Sequence, residues 1–300
     1  MGAAMPKMLG PETIALRKAD EYIDSLSSVN RSRMYGYAHH LYQDDVYANP
    51  DVLLSDMAAF QAGYGDKPIF QSEYAQLDDH QPTPWVRSYN LAKLMHNSLA
   101  VEGVSAYFYW ALFWNGEQGL VTVPGESSAA YTIHPEYYAF KHYSAFIREN
   151  WQRIESHSSK SELSQTAFIN PDGDQISMIL LNPLAHSVEF TPQFNGYQVV
   201  SSRAHRSSQT ENCLNLGDLT PGAPVLLPAN SITTLSLDIE VGNAAPVLSL
   251  ETPEELTLPA DVGLILEASV SDDALPDTSA PTTVWSVLSA PAVRRAPVDA

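Results

Sequence analysis

Along residues 1–150 the apolar positions alternate between short continuous runs and stretches recurring every three or four residues. That alternation marks strands followed by amphipathic helices. Residues 7–10 predict a first strand, and residues 16–28 a helix carrying Ala19, Tyr22, Ile23 and Leu26 on one face. Residues 33–38 predict the second strand. Pro50 then suits a first helical position ahead of Val52, Leu53, Ala59 and Phe60. Residues 67–71 predict a third strand, directly before Glu73 and its neighbours. Pro84 opens a helix with Leu91, Leu94, Met95 and Leu99 on one side, closed by Gly103. Residues 104–112 are nearly all apolar and predict a fourth strand covered on both faces. A last helix starts at Pro135 and carries Tyr138, Phe140, Tyr143, Phe146 and Ile147. The pattern gives four successive β/α units.

Near residue 152 the spacing changes. Residues 166–170, 175–182, 187–191, 197–202 and 231–237 predict short strands, with Pro171-Asp-Gly-Asp174 as a turn between two of them. No helical stretch intervenes, so residues 152–240 are expected to form an antiparallel β module. Residues 242–246 read as a linker. Beyond it, residues 247–250, 256–258, 264–270 and 283–287 predict a further β module of immunoglobulin type. A complete sandwich of that type needs ~100 residues and about seven strands, so residues 246–300 are expected to hold an incomplete one.

Composition narrows the partners. A hydrophobic content of 44% with 17% charged residues is ordinary for a globular chain. The net charge of −19 argues against nucleic acid, whose phosphates require a basic face. Cys213 is the sole cysteine, which excludes an intrachain disulfide and cysteine metal clusters. No apolar run approaches a membrane span, and the first residues lack the basic region and apolar core of a signal peptide.

Parallel β/α proteins place their chemistry just past the carboxyl ends of the strands. The first predicted strand is followed by Glu12, and the second by His39, His40 and Tyr42. The third precedes Glu73 and Tyr74, and the fourth leads to Trp110 and Trp114. Carboxylates beside aromatic rings suit sugar chemistry: glycoside hydrolysis uses paired carboxylates, and sugar C–H faces stack on rings. No glycine-rich phosphate turn and no G-x-S-x-G elbow is present, which counts against a nucleotide fold and an esterase. His39, His40 and Glu73 lack zinc-site spacing, so neither metal nor cofactor is expected, and His39 reads as a core or surface histidine. Tyr137, Tyr138, Phe140, Tyr143 and Phe146 read as packing residues, and Arg203, His205 and Arg206 as a solvated turn.

Five strings resemble glycoside hydrolase family 30, which includes xylanases, glucuronoxylanases, β-1,6-glucanases and glucosylceramidases. They are Met8-Leu-Gly-Pro-Glu-Thr13, Gly36-Tyr-Ala-His-His-Leu-Tyr42, Lys67-Pro-Ile-Phe-Gln-Ser-Glu-Tyr74, Val104-Ser-Ala-Tyr-Phe-Tyr-Trp110 and Tyr137-Tyr-Ala-Phe-Lys-His-Tyr-Ser-Ala-Phe-Ile147. Residues 227–235 resemble the end of that family's β side domain. The resemblance covers residues 5–238 and implies α/β plus all-β architecture. Residues 1–151 would be the C-terminal half (strands 5–8) of a (β/α)8 TIM barrel, residues 152–240 a β-sandwich side domain, and residues 246–300 a truncated immunoglobulin-like domain. It implies a retaining glycosidase with Glu73 as nucleophile. His40, Tyr42 and Trp110 would line the first sugar subsite, and Glu12, Tyr74 and Trp114 are expected to bind the substrate beside them. The partner would be a polysaccharide or oligosaccharide, and the parent protein secreted. The family's acid/base glutamate stands in an Asn-Glu-Pro string, which this chain lacks, so the acid is expected upstream of Met1 and this chain alone to be inactive. A non-catalytic carbohydrate-binding protein is the alternative. The loop at residues 115–126 carries two acids and no base, which favours xylan or another β-glycan over a strict glucuronoxylan substrate.

Overall fold

The computed structural model describes residues 6–43, 45–76, 83–125, 129–194, 196–242, 247–250 and 268–271. The chain divides into two units, 1–193 with 199–240, and 194–198 with 241–300.

The first unit begins with a four-stranded sheet. Its strands are β1 (Leu9–Thr13), β2 (Gly36–His40), β3 (Ile69–Glu73) and β4 (Ala106–Tyr107), in that spatial order and all parallel. β1 and β3 begin two residues later than their apolar runs predict. They extend instead into the polar ends Pro11-Glu-Thr13 and Ser72-Glu73. The fourth strand is cut to two paired residues, because past Tyr107 the chain finds only single hydrogen bonds to its neighbour, from Phe108 N to Gln71 O and from Trp110 N to Tyr74 O. β2 is buried except for partly exposed His40, and Gly36 starts it because a Cβ there would meet Pro68 O at 2.4 Å.

Helices fill the connections. The expected helix at 16–28 is split into a 3-10 turn, α1 (Ala19–Ser25) and a separate α2 (Ser28–Arg33). Leu26 is extended, and the Ser27 side chain accepts from Asn30 N, so an N-cap interrupts what the spacing read as one helix. Asn49 caps the 3-10 turn at Pro50 that leads into α3 (Leu54–Tyr64). α4 (Pro84–Asn97) has Thr83 as its cap, Pro84 in the first turn, and Leu91, Leu94 and Met95 buried. One π turn follows, ended by Gly103 in the left-handed conformation. Between β4 and α5 (Pro135–Ser144) the chain forms three two-residue strands, β5 (Phe113–Trp114), β6 (Val121–Thr122) and β7 (Thr132–Ile133), in one small sheet.

The β module is a six-stranded antiparallel sheet built from β8 (Gln152–Ile154), β9 (Ser164–Ile169), β10 (Gln175–Asn182), β12 (Tyr197–Ser208), β13 (Glu211–Leu219) and β15 (Ser231–Val241). β11 (Val188–Phe190) and β14 (Val225–Leu227) pair beside it. Arg203 and Arg206 lie within β12 rather than in a turn, and pair with Asp218 and Glu211 of β13. Phe168, Ile179, Leu181 and Ile232 of this module share one buried core with Leu91, Leu94 and Met95 of α4.

Polar contacts among the described residues cross that core. His142 lies between Thr234 Oγ1 and Ser207 Oγ, each at 2.8 Å, His96 Nδ1 meets Thr166 Oγ1 at 2.6 Å, and Lys93 donates to Ser164. In the second unit, β16 (Val247–Leu250) pairs antiparallel with β17 (Ala268–Ser271). Those strands overlap two of the expected immunoglobulin-type strands. The expected strands at 256–258 and 283–287 lie outside the described residues.

Candidate active site

The carboxyl edge of the four-stranded sheet gathers the polar strand ends, and two irregularities set their geometry. The register between β1 and β2 shifts at Glu12, which adopts φ 59°, and the register between β2 and β3 skips Ser72. The two extra residues meet: Ser72 Oγ donates to Glu12 Oε2 at 2.6 Å and approaches His39 O at 3.1 Å. Bulges re-aim side chains next to functional sites, and a non-glycine residue at positive φ is a local cost held by its surroundings.

His40 sits between two carboxylates, with Nε2 3.3 Å from Glu12 Oε2 and Nδ1 3.8 Å from Glu73 Oε1. The Tyr42 hydroxyl donates to Glu73. Burial first, then the charge and hydrogen bond of Glu73, push this phenol far above its usual range, so it remains a donor. Backbone bonds fix the frame, from Leu41 N to Glu73 O at 3.3 Å and from Tyr42 N to Ile14 O at 3.0 Å. Glu73 therefore keeps a partly exposed carboxylate, held by one phenol and beside one imidazole.

Trp110 follows directly. Its backbone bond to Tyr74 O holds it at the end of β3, and the residue is 47% exposed. Trp114 lies 5.9 Å away between ring centroids and is 42% exposed. The two indoles form an open aromatic surface.

Tyr74 is different. It is fully buried, its ring stacks on Tyr42 and Tyr47, and its hydroxyl donates to Gln76 at 2.9 Å. The expectation that Tyr74 touches a ligand is corrected: the step past Glu73 turns its side chain into the core, where it supports Tyr42 from beneath.

His39 is also turned away. It is buried against Phe60 of α3, with Nε2 on Glu102 and Nδ1 on its neighbour's carbonyl. Burial opposes its charge, but Glu102 outweighs burial and holds the imidazole above its usual value. His39, His40 and Glu73 thus do not converge. Among the described residues, no group of three His, Cys, Asp or Glu side chains is arranged to hold a metal ion. No described helix is long and apolar enough to cross a membrane.

Sequence reasoning missed Ser72 and Tyr109. Ser72 carries no signal in a run of strand residues, since its role depends on the register skip. Tyr109 Oη accepts from Gln76 N at 3.2 Å, and its ring meets Tyr74 edge-on.

Residues 152–235 match the glycosyl hydrolase family 30 beta sandwich domain. The chain is similar to a GH30 endoxylanase from Clostridium papyrosolvens C71, at 21% identity and a TM-score of 0.62, over 77% of this chain and 56% of that one. It is similar to a conserved exported protein from Bacteroides fragilis at 19% identity and a TM-score of 0.65, over 77% and 55% of the two chains. A glycoside hydrolase family 30 subfamily 8 xylanase from Clostridium acetobutylicum gives 19% identity and a TM-score of 0.60, over 77% and 56%. The chain thus spans about half the length of these structures. No curated protein matches it significantly in sequence.

Proposed function

We propose, from the relationship of this chain to glycoside hydrolase family 30, that it carries the nucleophile half of a retaining glycosidase acting on a β-glycan, xylan-like in backbone. The observation that carries this is the partly exposed Glu73 carboxylate, held by the Tyr42 hydroxyl at the end of β3, where Trp110 N bonds to Tyr74 O and the Trp110 and Trp114 side chains stay open to solvent.

In this mechanism a Glu73 oxygen forms a bond to the anomeric carbon as the bond to the leaving oxygen breaks. A general acid supplies that oxygen with its proton. Water then attacks the same carbon, returns its proton to that acid, now the base, and frees Glu73. Tyr42 keeps the carboxylate oriented, while Trp110 presents a ring to the sugar face. Glu12 is tied to Ser72 and His40, so the acid is assigned to a complementary set of β/α units that would close the four strands into a (β/α)8 barrel. Retaining chemistry needs the two carboxyl groups about 5 Å apart. On this assignment the chain alone does not hydrolyse xylan. The parent enzyme would be exported, as the similar protein from Bacteroides fragilis is.

A leaving group that departs without a proton separates the nucleophile from the missing acid. Incubation with a 2,4-dinitrophenyl 2-deoxy-2-fluoro-β-xylobioside, followed by peptide mass analysis, should show one glycosyl adduct on Glu73. The adduct should vanish in Glu73→Gln. Labelling elsewhere, or none at millimolar reagent, would refute the nucleophile assignment. A non-catalytic sugar-binding role for this chain is favoured by the engagement of Glu12, and it predicts oligosaccharide binding with no adduct.

A further inference from the structure

We propose that the groove between α4 and the β module is a second sugar-binding site, taking an uncharged stretch of a glycan chain. The groove has a volume of about 870 Å³, within the range of small-molecule sites. One wall is aromatic: Trp85 and Tyr89, from the first turns of α4, have ring centroids 6.2 Å apart and planes inclined by 59°. The facing wall comes from turns of the β module and presents the hydroxyls and amides of Ser187, Gln209, Thr210 and Asn230.

The charge pattern selects the ligand. The chain carries 35 acidic and 16 basic residues, yet among the described residues none lining this groove is charged at neutral pH. Among the described lining residues a phosphate, a uronate or a basic peptide would find no counter-ion. A purely apolar guest would leave the hydroxyl and amide wall without partners, which costs binding energy. A neutral pyranose chain fits both walls, with its C–H faces on the rings and its hydroxyls on the amides. The choice of a sugar over another uncharged polyol rests on the glycosidase assignment.

Topology adds a position. β3 ends at Glu73 and the next helix begins at Pro84, so the amino end of α4 lies on the carboxyl side of the sheet. The groove therefore opens on the side where Glu73 stands, and would hold a part of the glycan away from the bond being cut.

Indole ¹⁵N resonances of the five tryptophans test this in the intact chain. Trp85→Phe and Trp110→Ala assign the two relevant signals. Titration with xylohexaose should move the Trp85 signal saturably, and equally in Trp110→Ala. Gln209→Ala, on an exposed turn, should weaken that response at least threefold without changing the melting temperature. Trigalacturonate should leave the signal unmoved. A static Trp85 signal while the Trp110 signal moves overturns the second site and leaves the first intact. The reverse pattern supports the second site and sinks the Trp110 subsite. An equal response to trigalacturonate overturns the neutral selectivity, and two static signals refute both sites.

Discussion

Acid should loosen the seam between the helices and the β module, through His142 and His96. Both imidazoles are held between hydroxyls of the β module or against one, and burial drives each pKa down, to about 3 for His142 and about 4 for His96. His205 and Lys141 face His142 and add to its shift. Lys93 and Arg153 do the same at His96, while Asp51 opposes them. An unfolded histidine titrates near 6.5. A lowered folded value means that the stability is fully present above pH 6.5 and is lost as pH falls toward 4 and then 3. Each pKa unit corresponds to about 1.4 kcal/mol. Lowering the pH from 7 to 4.5 therefore removes roughly 2.5 kcal/mol at His142, and roughly 2 kcal/mol at the less enclosed His96. Together that is a large share of the ~5–15 kcal/mol that holds a typical domain. Carboxylates titrate over the same range, so the quantity to measure is a difference. Urea unfolding of the wild type and His142→Gln, followed by far-ultraviolet circular dichroism, should give a stability gap that narrows by about 2.5 kcal/mol between pH 7 and 4.5. Glutamine keeps neutral hydrogen bonding but does not titrate. A gap that stays constant or widens on acidification would refute the buried neutral imidazole.

Three further outcomes follow from the site and the sheet. Tyr42→Phe removes a hydrogen bond to a charged group, worth about 1.5–3 kcal/mol, and should slow labelling of Glu73 by about 10–100-fold, read from the rate of dinitrophenolate release; a rate within twofold of wild type would detach Tyr42 from the carboxylate. Trp110→Ala should weaken xylo-oligosaccharide affinity at the carboxyl edge of the sheet by about tenfold, the scale of an aromatic platform, read from the Trp114 indole resonance, with an unchanged melting transition in the β module; an unchanged Trp114 response would return Trp110 to a packing role. β4 leaves an unpaired edge among the described residues beside exposed Phe108, Leu112 and Phe113, so the purified chain should self-associate in sedimentation, and Phe108→Glu should reduce it; a monodisperse wild-type monomer at tens of micromolar would count against the open edge.

The alternation of strands and helices was legible because α1, α3, α4 and α5 bury residues at helical spacing and β2 is an almost wholly buried run. Boundaries were less so. β1 and β3 end in Pro11-Glu12-Thr13 and Ser72-Glu73, residues with little strand character, and they are strand only because β2 pairs with them. The reverse holds at residues 108–112, which read as strand from apolarity but lack a ladder on both sides. Glu73, His40 and Tyr42 were recognisable as polar groups at strand ends. Period-two alternation also implied that His39 and His40 face opposite ways, but not which one faces the edge. That choice is made by Glu102, more than sixty residues further on, which offers His39 a buried partner. Tyr74 stands next to Glu73 in sequence, but its ring is buried and its hydroxyl donates to Gln76.

The two register shifts explain why these strand ends meet at all. In a regular parallel ladder, successive residues of one strand point to opposite faces. Skipping Ser72 brings Glu73 level with His40 rather than one residue beyond it. The shift at Glu12 does the same on the other side of β2, turning a carboxylate toward His40 at the cost of a left-handed backbone. The bond from Ser72 to Glu12 then ties one irregularity to the other across the central strand. Loss of that bond in Ser72→Ala should leave Glu12 held by His40 alone, without touching Glu73 directly. The labelling rate would then report whether the spacing of the site depends on the pair of bulges or on Tyr42 alone.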